Sequence, residues 1–302
     1  MQPDDAKSPV VVREPYASKG ASTVLRGGRS REASPLPSSS LWHARLVGAG
    51  VLPLRWIAGW GRLLFTVASL LVLALSPSSY GRECRTVLLR HLVADTAPIL
   101  AGFTALCALL TLVITRIVIV TALSYGLTRY ALEMVIRVLV LELIPLTAAL
   151  FVALRCTIPN GAALATLRLQ GRFREWQARG LDPLAAQVMP RAVAGVYATL
   201  TLAALSCVVA LVIAYFAVYG ASTAGLAAYT RVFGRVFNPS VSLIFVLKTL
   251  FFSVAVSFIP MASALADAQP GHSREGAALQ ALVRMFAVLL LLEAASLAGN
   301  YY

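Results

Sequence analysis

The sequence predicts an all-α integral membrane protein with about five transmembrane helices. Hydrophobic residues make up 59% of the chain and charged residues only 13%, which is far from the balance of a soluble domain. The apolar residues fall into long continuous runs without the alternation of a membrane barrel, so the spans are expected to be helical. The runs long enough to cross a bilayer are residues 96–123, 131–154, 192–219, 241–266 and 277–299.

Two different segments precede the first run. Residues 1–40 are rich in Pro, Ser and Arg and have no apolar core, which predicts a disordered cytoplasmic leader. Residues 41–302 are expected to form one membrane domain. Its first part, residues 41–76, ends in an apolar run that is shorter than the roughly twenty residues of a span. Because basic residues flank this run on both sides, we expect an interfacial helix at the cytoplasmic surface, with a sixth span as the alternative.

The distribution of arginines predicts the orientation of the spans. Alternate connections carry eleven arginines on one side and three on the other, and the basic side is expected to be cytoplasmic. The amino terminus is therefore predicted to lie inside. The inner set is Arg82, Arg85, Arg90, Arg155, Arg168, Arg172, Arg174, Arg179, Arg191, Arg274 and Arg284, and the outer set is Arg129, Arg231 and Arg235.

Several function classes find little support in the sequence. The formal charge of +13 resides in the leader and between apolar runs, so nucleic-acid binding is not expected. Four cysteines without close pairing and three histidines offer neither a disulfide framework nor a metal site. No phosphate-binding loop, HExxH or GxSxG motif occurs. We therefore expect no cofactor and no enzyme activity in this chain, and any ATP hydrolysis must come from a partner.

The largest inner connection, residues 155–191, is predicted to contain an amphipathic helix over 162–179. Apolar and charged side chains recur along it at helical spacing. The apolar set is Leu169, Phe173 and Trp176, and the charged set is Arg168, Arg172, Glu175 and Arg179. Gly180 should end this helix, while Asp182 and Pro183 should begin the next. Two interpretations remain open, a membrane-surface helix that contacts anionic lipid and a docking helix for a soluble partner.

Short motifs from about residue 41 onward resemble the MlaE (YrbE) permeases of ABC transporters. The family's Glu-Leu-Gly-Pro stretch in the second span is matched by Glu-Leu-Ile-Pro at 142–145. Its coupling motif Leu-Gly-Thr-Met-Arg is matched by Leu-Ala-Thr-Leu-Arg at 164–168, and Gly-Val-Asp-Pro by Gly-Leu-Asp-Pro at 180–183. The Pro-Arg pair at 190–191 and Lys248 also match.

The chain departs from the family pattern at other positions. Ala163 replaces the acidic residue before the coupling motif, and Leu141 replaces the arginine before the second-span glutamate. The acidic and polar run after the motif has become Gln-Gly-Arg-Phe-Arg at 170–174. Glu293 resembles the acidic residue of the fifth span only with a short gap in the alignment. Partner contacts at the coupling segment are therefore expected to have diverged more than the fold.

The resemblance implies a permease subunit that moves phospholipid or a related lipid between bacterial membranes. It implies a homodimer in the inner membrane, a cytoplasmic ABC ATPase that uses ATP, and an MCE-domain lipid-binding protein on the outer face. It also suggests which residues couple to the ATPase, namely Thr166, Arg168, Leu169, Arg172, Phe173, Trp176, Arg179 and Asp182. The alternatives are a non-transporting membrane scaffold and an integral membrane enzyme that acts on lipids.

Charged residues inside the spans are the remaining candidates. Each costs roughly 2.5–3.5 kcal/mol near the bilayer centre on insertion scales, so it needs a partner or a watery cavity. Glu133 and Arg137 have the i,i+4 spacing of an ion pair. Glu142, Lys248 and Arg116 are predicted to line a polar cavity for a lipid headgroup, with a basic residue neutralising phosphate.

Overall fold

A computed structural model describes residues 59–77, 80–266 and 274–301, and these residues form helices and short turns without a strand. The predicted leader and residues 41–58 lie outside the described part. The α-helices are α1 (Gly59–Leu75), α2 (Arg82–Ser124), α3 (Thr128–Val135), α4 (Ile144–Val152), α5 (Ile158–Leu169), α6 (Arg172–Ala178), α7 (Met189–Tyr219), α8 (Leu226–Val236), α9 (Pro239–Ala266) and α10 (Arg274–Tyr301).

Five helical stretches are long and apolar enough to cross a membrane. They are Cys84–Ser124, Tyr130–Leu169, Leu184–Tyr219, Pro239–Ala266 and Ala278–Asn300. Four of the five predicted runs lie within one of these stretches, and the fifth, 277–299, begins one residue earlier but lies within α10. The all-α membrane fold is therefore confirmed, and the protein is a multi-pass membrane protein. Following the predicted orientation, we call the end of the bundle that carries α6 the inner end and the end that carries α8 the outer end.

Within the predicted interfacial segment, the structure describes α1, which is too short for an ordinary span. Its Leu63 and Leu70 are buried against neighbouring helices, whereas Leu64 and Phe65 are exposed. One side of α1 is therefore anchored to the bundle, and the other side presents apolar groups outward. Whether it lies at the interface stays a prediction.

Three π-helical segments interrupt the α-helical geometry, at Ile136–Leu143, Ala153–Thr157 and Leu184–Val188. Each is followed by an α-helix whose second residue is a proline, at positions 145, 159 and 190. Proline has no N–H, and its ring clashes with the carbonyl four residues earlier, so a wider turn just before it relieves the clash. This explains why the second span continues as helix to Leu169 instead of ending near residue 154.

Close packing of the third span on its neighbours depends on small residues. A Cβ atom added to Gly195 of α7 would lie 2.8 Å from Ser257 Oγ and 2.9 Å from Thr157 Cγ2. A Cβ atom on Gly161 of α5 would lie 3.1 Å from the Pro260 carbonyl oxygen. Glycines of this kind allow helix backbones to approach closely inside membranes. They allow the second, third and fourth spans to approach one another closely.

Candidate functional site

Lys248 is the most enclosed charged residue of the described bundle, with 2% of its side chain exposed. Its ammonium donates a hydrogen bond to Glu142 and lies 2.8 Å from Glu293 Oε2. The second contact is an ion pair without hydrogen-bond geometry, since Glu293 Oε2 has no hydrogen-bond partner. Three separate spans therefore meet at one ammonium group.

The local backbone helps to hold this ammonium. Lys248 Nζ lies 3.5 Å from the carbonyl oxygen of Leu141, which is four residues before Pro145. A proline cannot donate to that carbonyl, so it is available to a side chain. The ammonium also lies 5.5 Å from the ring centroid of Phe252, within cation–π range. These contacts offset part of the cost of burying the charge.

The charges of this cluster do not balance. One ammonium faces two carboxylates, whose side chains are 14% and 16% exposed. The cluster can therefore accept a further cation more readily than an anion. Because both carboxylates already engage the ammonium, a lipid phosphate would have to displace one of them. That Glu142 and Lys248 line a lipid cavity stays a prediction, and Glu293 joins them as a residue that sequence motifs indicated only through a gapped match.

Arg116 lies apart from this cluster. Its side chain is exposed on α2, and no hydrogen bond or ion pair within the described part of the chain involves it. The structure thus brings together two of the three residues predicted for the lipid site and leaves Arg116 on the outside of the helical bundle. Glu133 and Arg137 do form the expected ion pair, at 3.1 Å.

An apolar groove of about 390 Å³ lies where α2 and α3 meet at the outer end. The hairpin turn contains Gly126 with a φ of 72°, a conformation that favours glycine. Thr121 and two tyrosine hydroxyls are the polar side-chain groups of its lining. The lining residues are Ile114, Ile117, Val118, Thr121, Ala122, Tyr125, Leu127, Tyr130, Ala131, Met134, Val135, Val138 and Leu139. Sequence motifs did not reveal this groove because it depends on how two helices diverge.

The predicted single helix over 162–179 is wrong. The chain forms α5 and α6 instead, separated by Gly171, which has a φ of 79°. A glycine in the left-handed conformation commonly ends a helix. Gly171 was therefore the available sign of a break, but the helical spacing of the side chains on either side of it favoured one continuous helix. The stop at Gly180 is confirmed by its φ of 76°, and Asp182 Oδ1 accepts a hydrogen bond from the Leu184 N–H at 3.0 Å.

Several residues predicted to couple to an ATPase have contacts within the chain. Arg168 donates a hydrogen bond to the Leu265 carbonyl at the end of α9. Phe173 packs against the cluster of buried side chains around Leu164, and its ring centroid lies 5.6 Å from that of Trp176. These contacts fix the position of α6 on the inner end.

Other members of the predicted set face solvent. Leu169 is 51% exposed, Arg179 is exposed, and Arg172 forms a 3.0 Å surface ion pair with Glu175. Thr166 donates to the Ala162 carbonyl of its own helix at 3.0 Å. The available contact surface of this segment is therefore made mainly by Leu169 and the arginines, together with half-buried Trp176.

A groove of about 820 Å³ lies beside this segment, between α1, α6, the 182–184 turn and the end of α9. It contains three arginines and one carboxylate. Its charged lining residues are Arg62, Arg168, Arg174 and Asp182. Because α1 forms one wall, this helix and the predicted coupling segment together shape the inner surface.

A polar cluster at the inner end was not predicted. His91 Nδ1 lies 3.6 Å from Asp95 Oδ2, which accepts a hydrogen bond from Asn160 at 3.0 Å. Arg191 Nε donates to His91 Nε2 at 3.2 Å. His91 and Asp95 precede the predicted first span, which the structure extends back into this region. The i,i+4 spacing of His91 and Asp95 was the available signal. In the described ranges, no group of three or more His, Cys, Asp or Glu side chains could hold a metal ion.

Comparison with known proteins supplies the remaining evidence. The family model described as Permease MlaE matches residues 88–298. No curated protein matches the sequence significantly. The matched region contains the complete second, third and fourth spans, the inner segment and the Lys248 cluster. This chain therefore belongs to the Permease MlaE family and is a permease of the ABC transporter type.

Proposed function

We propose that this protein is the transmembrane subunit of an ABC transporter that moves phospholipid or a related lipid between bacterial membranes. The observation that carries the proposal, together with family membership, is the apolar groove between α2 and α3. A cleft of this size with so few polar groups suits acyl chains better than a polar solute. The proposed substrate is therefore a lipid with at least one acyl chain.

The proposed transporter includes further subunits. A cytoplasmic ABC ATPase hydrolyses ATP and docks on the inner end, where Leu169 and Trp176 offer apolar contacts. A second copy of the chain completes a homodimer in the inner membrane, with the amino terminus cytoplasmic. An MCE-domain protein exchanges lipid at the outer face. Support for these subunits comes from the family resemblance and from the exposed inner segment.

Filling the groove tests the substrate. Met134→Trp adds volume inside the groove, whereas Val120→Trp adds the same side chain at an exposed position of α2 outside it. We expect Met134→Trp to lower the amount of phospholipid that co-purifies with the full chain about fivefold, since a pocket of this kind binds by apolar contact. Mass spectrometry of extracted lipid gives the amount. Equal lipid in both variants would refute the lipid site.

Removing exposed Leu169 and half-buried Trp176 from the inner segment tests ATPase docking. Leu169→Ala with Trp176→Ala should abolish recovery of the ATPase and its stimulation, because a few apolar and aromatic side chains dominate most interfaces. Leu226→Ala, which truncates an equally exposed leucine on α8 at the other end, is the matched control. If the variant still recovered the ATPase as the wild type does, the segment would be assigned to the membrane surface instead. An ATPase that binds without stimulation would favour a scaffold, and hydrolysed lipid would favour a lipid enzyme.

A further inference from the structure

Helix α8 connects the third and fourth spans at the outer end, and one of its faces is firmly attached to the bundle. Val236 is buried, and Tyr229 and Val232 pack against the apolar cluster that includes Leu139. The Tyr229 hydroxyl donates a hydrogen bond to the Leu211 carbonyl at 2.9 Å. This anchoring fixes which side chains α8 presents outward.

The outward face carries two arginines at i,i+4 spacing, Arg231 and Arg235, both exposed. Arg231 Nε–H donates to the Ala227 carbonyl at 3.3 Å, which leaves its terminal nitrogens available. No hydrogen bond or ion pair among the described residues involves Arg235. Like charges at this spacing repel each other along a helix. A bound anion that contacts both guanidinium groups would remove this repulsion.

No carboxylate among residues 59–77, 80–266 and 274–301 pairs with either arginine. The sequence holds no acidic residue between Asp182 and Asp267, a stretch that includes all of α8. Helix α3 contacts α8, but its Glu133 is already paired with Arg137. Within the part of the chain that the structure describes, the two arginines therefore form a cationic surface without a paired carboxylate.

A glycine lies between these arginines. Gly234 occupies the exposed interior of α8, and a Cβ atom placed there would meet nothing within 4 Å. Glycine in a helix interior is destabilising relative to alanine, and packing within the protomer does not require it. Its absence of a side chain leaves the surface of α8 open at this position, so a ligand can approach the helix backbone closely.

We propose that the outward face of α8 binds the phosphate of an anionic phospholipid in the outer leaflet. Paired guanidinium groups suit phosphate because they donate several charge-assisted hydrogen bonds to its oxygens. The proposal rests on the proposed orientation and lipid function. It adds a lipid headgroup site separate from the apolar groove and names the substrate chemistry as anionic. Lipid held there lies beside the hairpin of α2 and α3, which α8 contacts through α3.

The test measures phosphatidylglycerol and phosphatidylcholine binding to the full-length chain in detergent by native mass spectrometry. We expect the wild type to bind phosphatidylglycerol about tenfold more tightly, and Arg231→Gln with Arg235→Gln to remove this preference. Gly234→Leu should weaken phosphatidylglycerol binding by filling the open space. Arg85→Gln with Arg90→Gln, which removes two exposed arginines at the inner end, should keep the preference.

Three results would overturn the proposal. The first is an unchanged preference in the Arg231→Gln, Arg235→Gln variant. The second is loss of the preference in the inner-end control. The third is binding of polyglutamate to α8 without any preference between the lipids, which would indicate an acidic protein partner. The lipid-binding assay contains no ATPase, so its outcome does not depend on ATPase docking or transport. If docking or transport failed, the proposed function would be refuted, but the measured lipid preference of α8 would still stand. Labelling at Ser222, described below, tests the orientation separately.

Discussion

Lys248 of α9 and Glu142 of the first π-helical segment form a buried ion pair although 106 residues separate them in the sequence. Glu293 of the fifth span shares the same ammonium group. This arrangement ties three spans together by charge in a region where apolar contacts alone discriminate poorly between alternative packings. Its energetic consequences differ for each of the three residues.

Removing the ammonium should destabilise the protein more than removing one carboxylate. In Lys248→Met two buried carboxylates lose their cation, which costs about 3–5 kcal/mol when one partner of a buried pair is removed. Glu293→Gln leaves the Glu142 pair intact and should cost about 1–2 kcal/mol. Thermal unfolding in detergent, followed by size-exclusion chromatography, measures which of the two variants is less stable. A triple variant that also neutralises both glutamates should recover stability relative to Lys248→Met. The reverse order would contradict the charge assignment.

Packing at Gly195 should be intolerant of a single added methyl group. Gly195→Ala places its Cβ within 3 Å of Ser257 and Thr157, and overpacking of this kind costs about 1–3 kcal/mol. Gly102→Ala on α2 is the matched control, because a Cβ there meets nothing within 4 Å. It should be neutral or stabilising by about 0.5–1 kcal/mol. Similar melting temperatures for both variants would show that α7 does not pack as closely as described.

Cysteine labelling tests the orientation of the bundle. The four native cysteines are buried, so background reaction should be low. Ser222→Cys lies at the outer end and Gln177→Cys on exposed α6 at the inner end. Only Ser222→Cys should react with an impermeant maleimide added to intact cells. Reaction of Gln177→Cys alone would reverse the model of eleven inner and three outer arginines. Ser273, the other suitable inner position, lies outside the described residues.

Tyr229 should remain protonated in strongly alkaline solution. Burial, and to a smaller extent nearby Tyr219, raises the pKa of Tyr229 from 10.0 to about 12. Because the folded pKa exceeds the unfolded one, its contribution to stability is complete below about pH 10 and is lost as pH rises through about 12. The absorbance difference between wild type and Tyr229→Phe reports its ionisation. A midpoint near 10 would show that α8 is not anchored through this residue.

Much of the fold could be predicted because long apolar runs have one stable form in lipid. The proximity of Glu142 and Lys248 could also be predicted, because a charged side chain is costly to insert into the bilayer and both residues match family positions. The break between α5 and α6 was missed because Leu169, Phe173 and Trp176 keep a nearly helical spacing across it. Only the backbone conformation of Gly171 reveals the turn.

The site features that were missed depend on tertiary structure. The apolar groove requires the divergence of α2 and α3, and its lining has no motif of its own. His91, Asp95 and Arg191 meet only because the first span extends inward beside the start of α7. Arg116 was grouped with Lys248 only because both side chains are basic. Its position on α2 leaves it exposed, whereas Lys248 is buried in the bundle.

The paired prolines and π-helical segments have a consequence for how the second span presents its side chains. Each wide turn contains about one residue more than an α-turn, which rotates everything beyond it by about 100°. A span with two such turns has no single helical wheel. It behaves as three rods joined end to end, each with its own angular setting. Glu133 can thus pair near the outer surface, Glu142 can face Lys248, and Arg168 can reach the end of α9, although all three belong to one continuous helix.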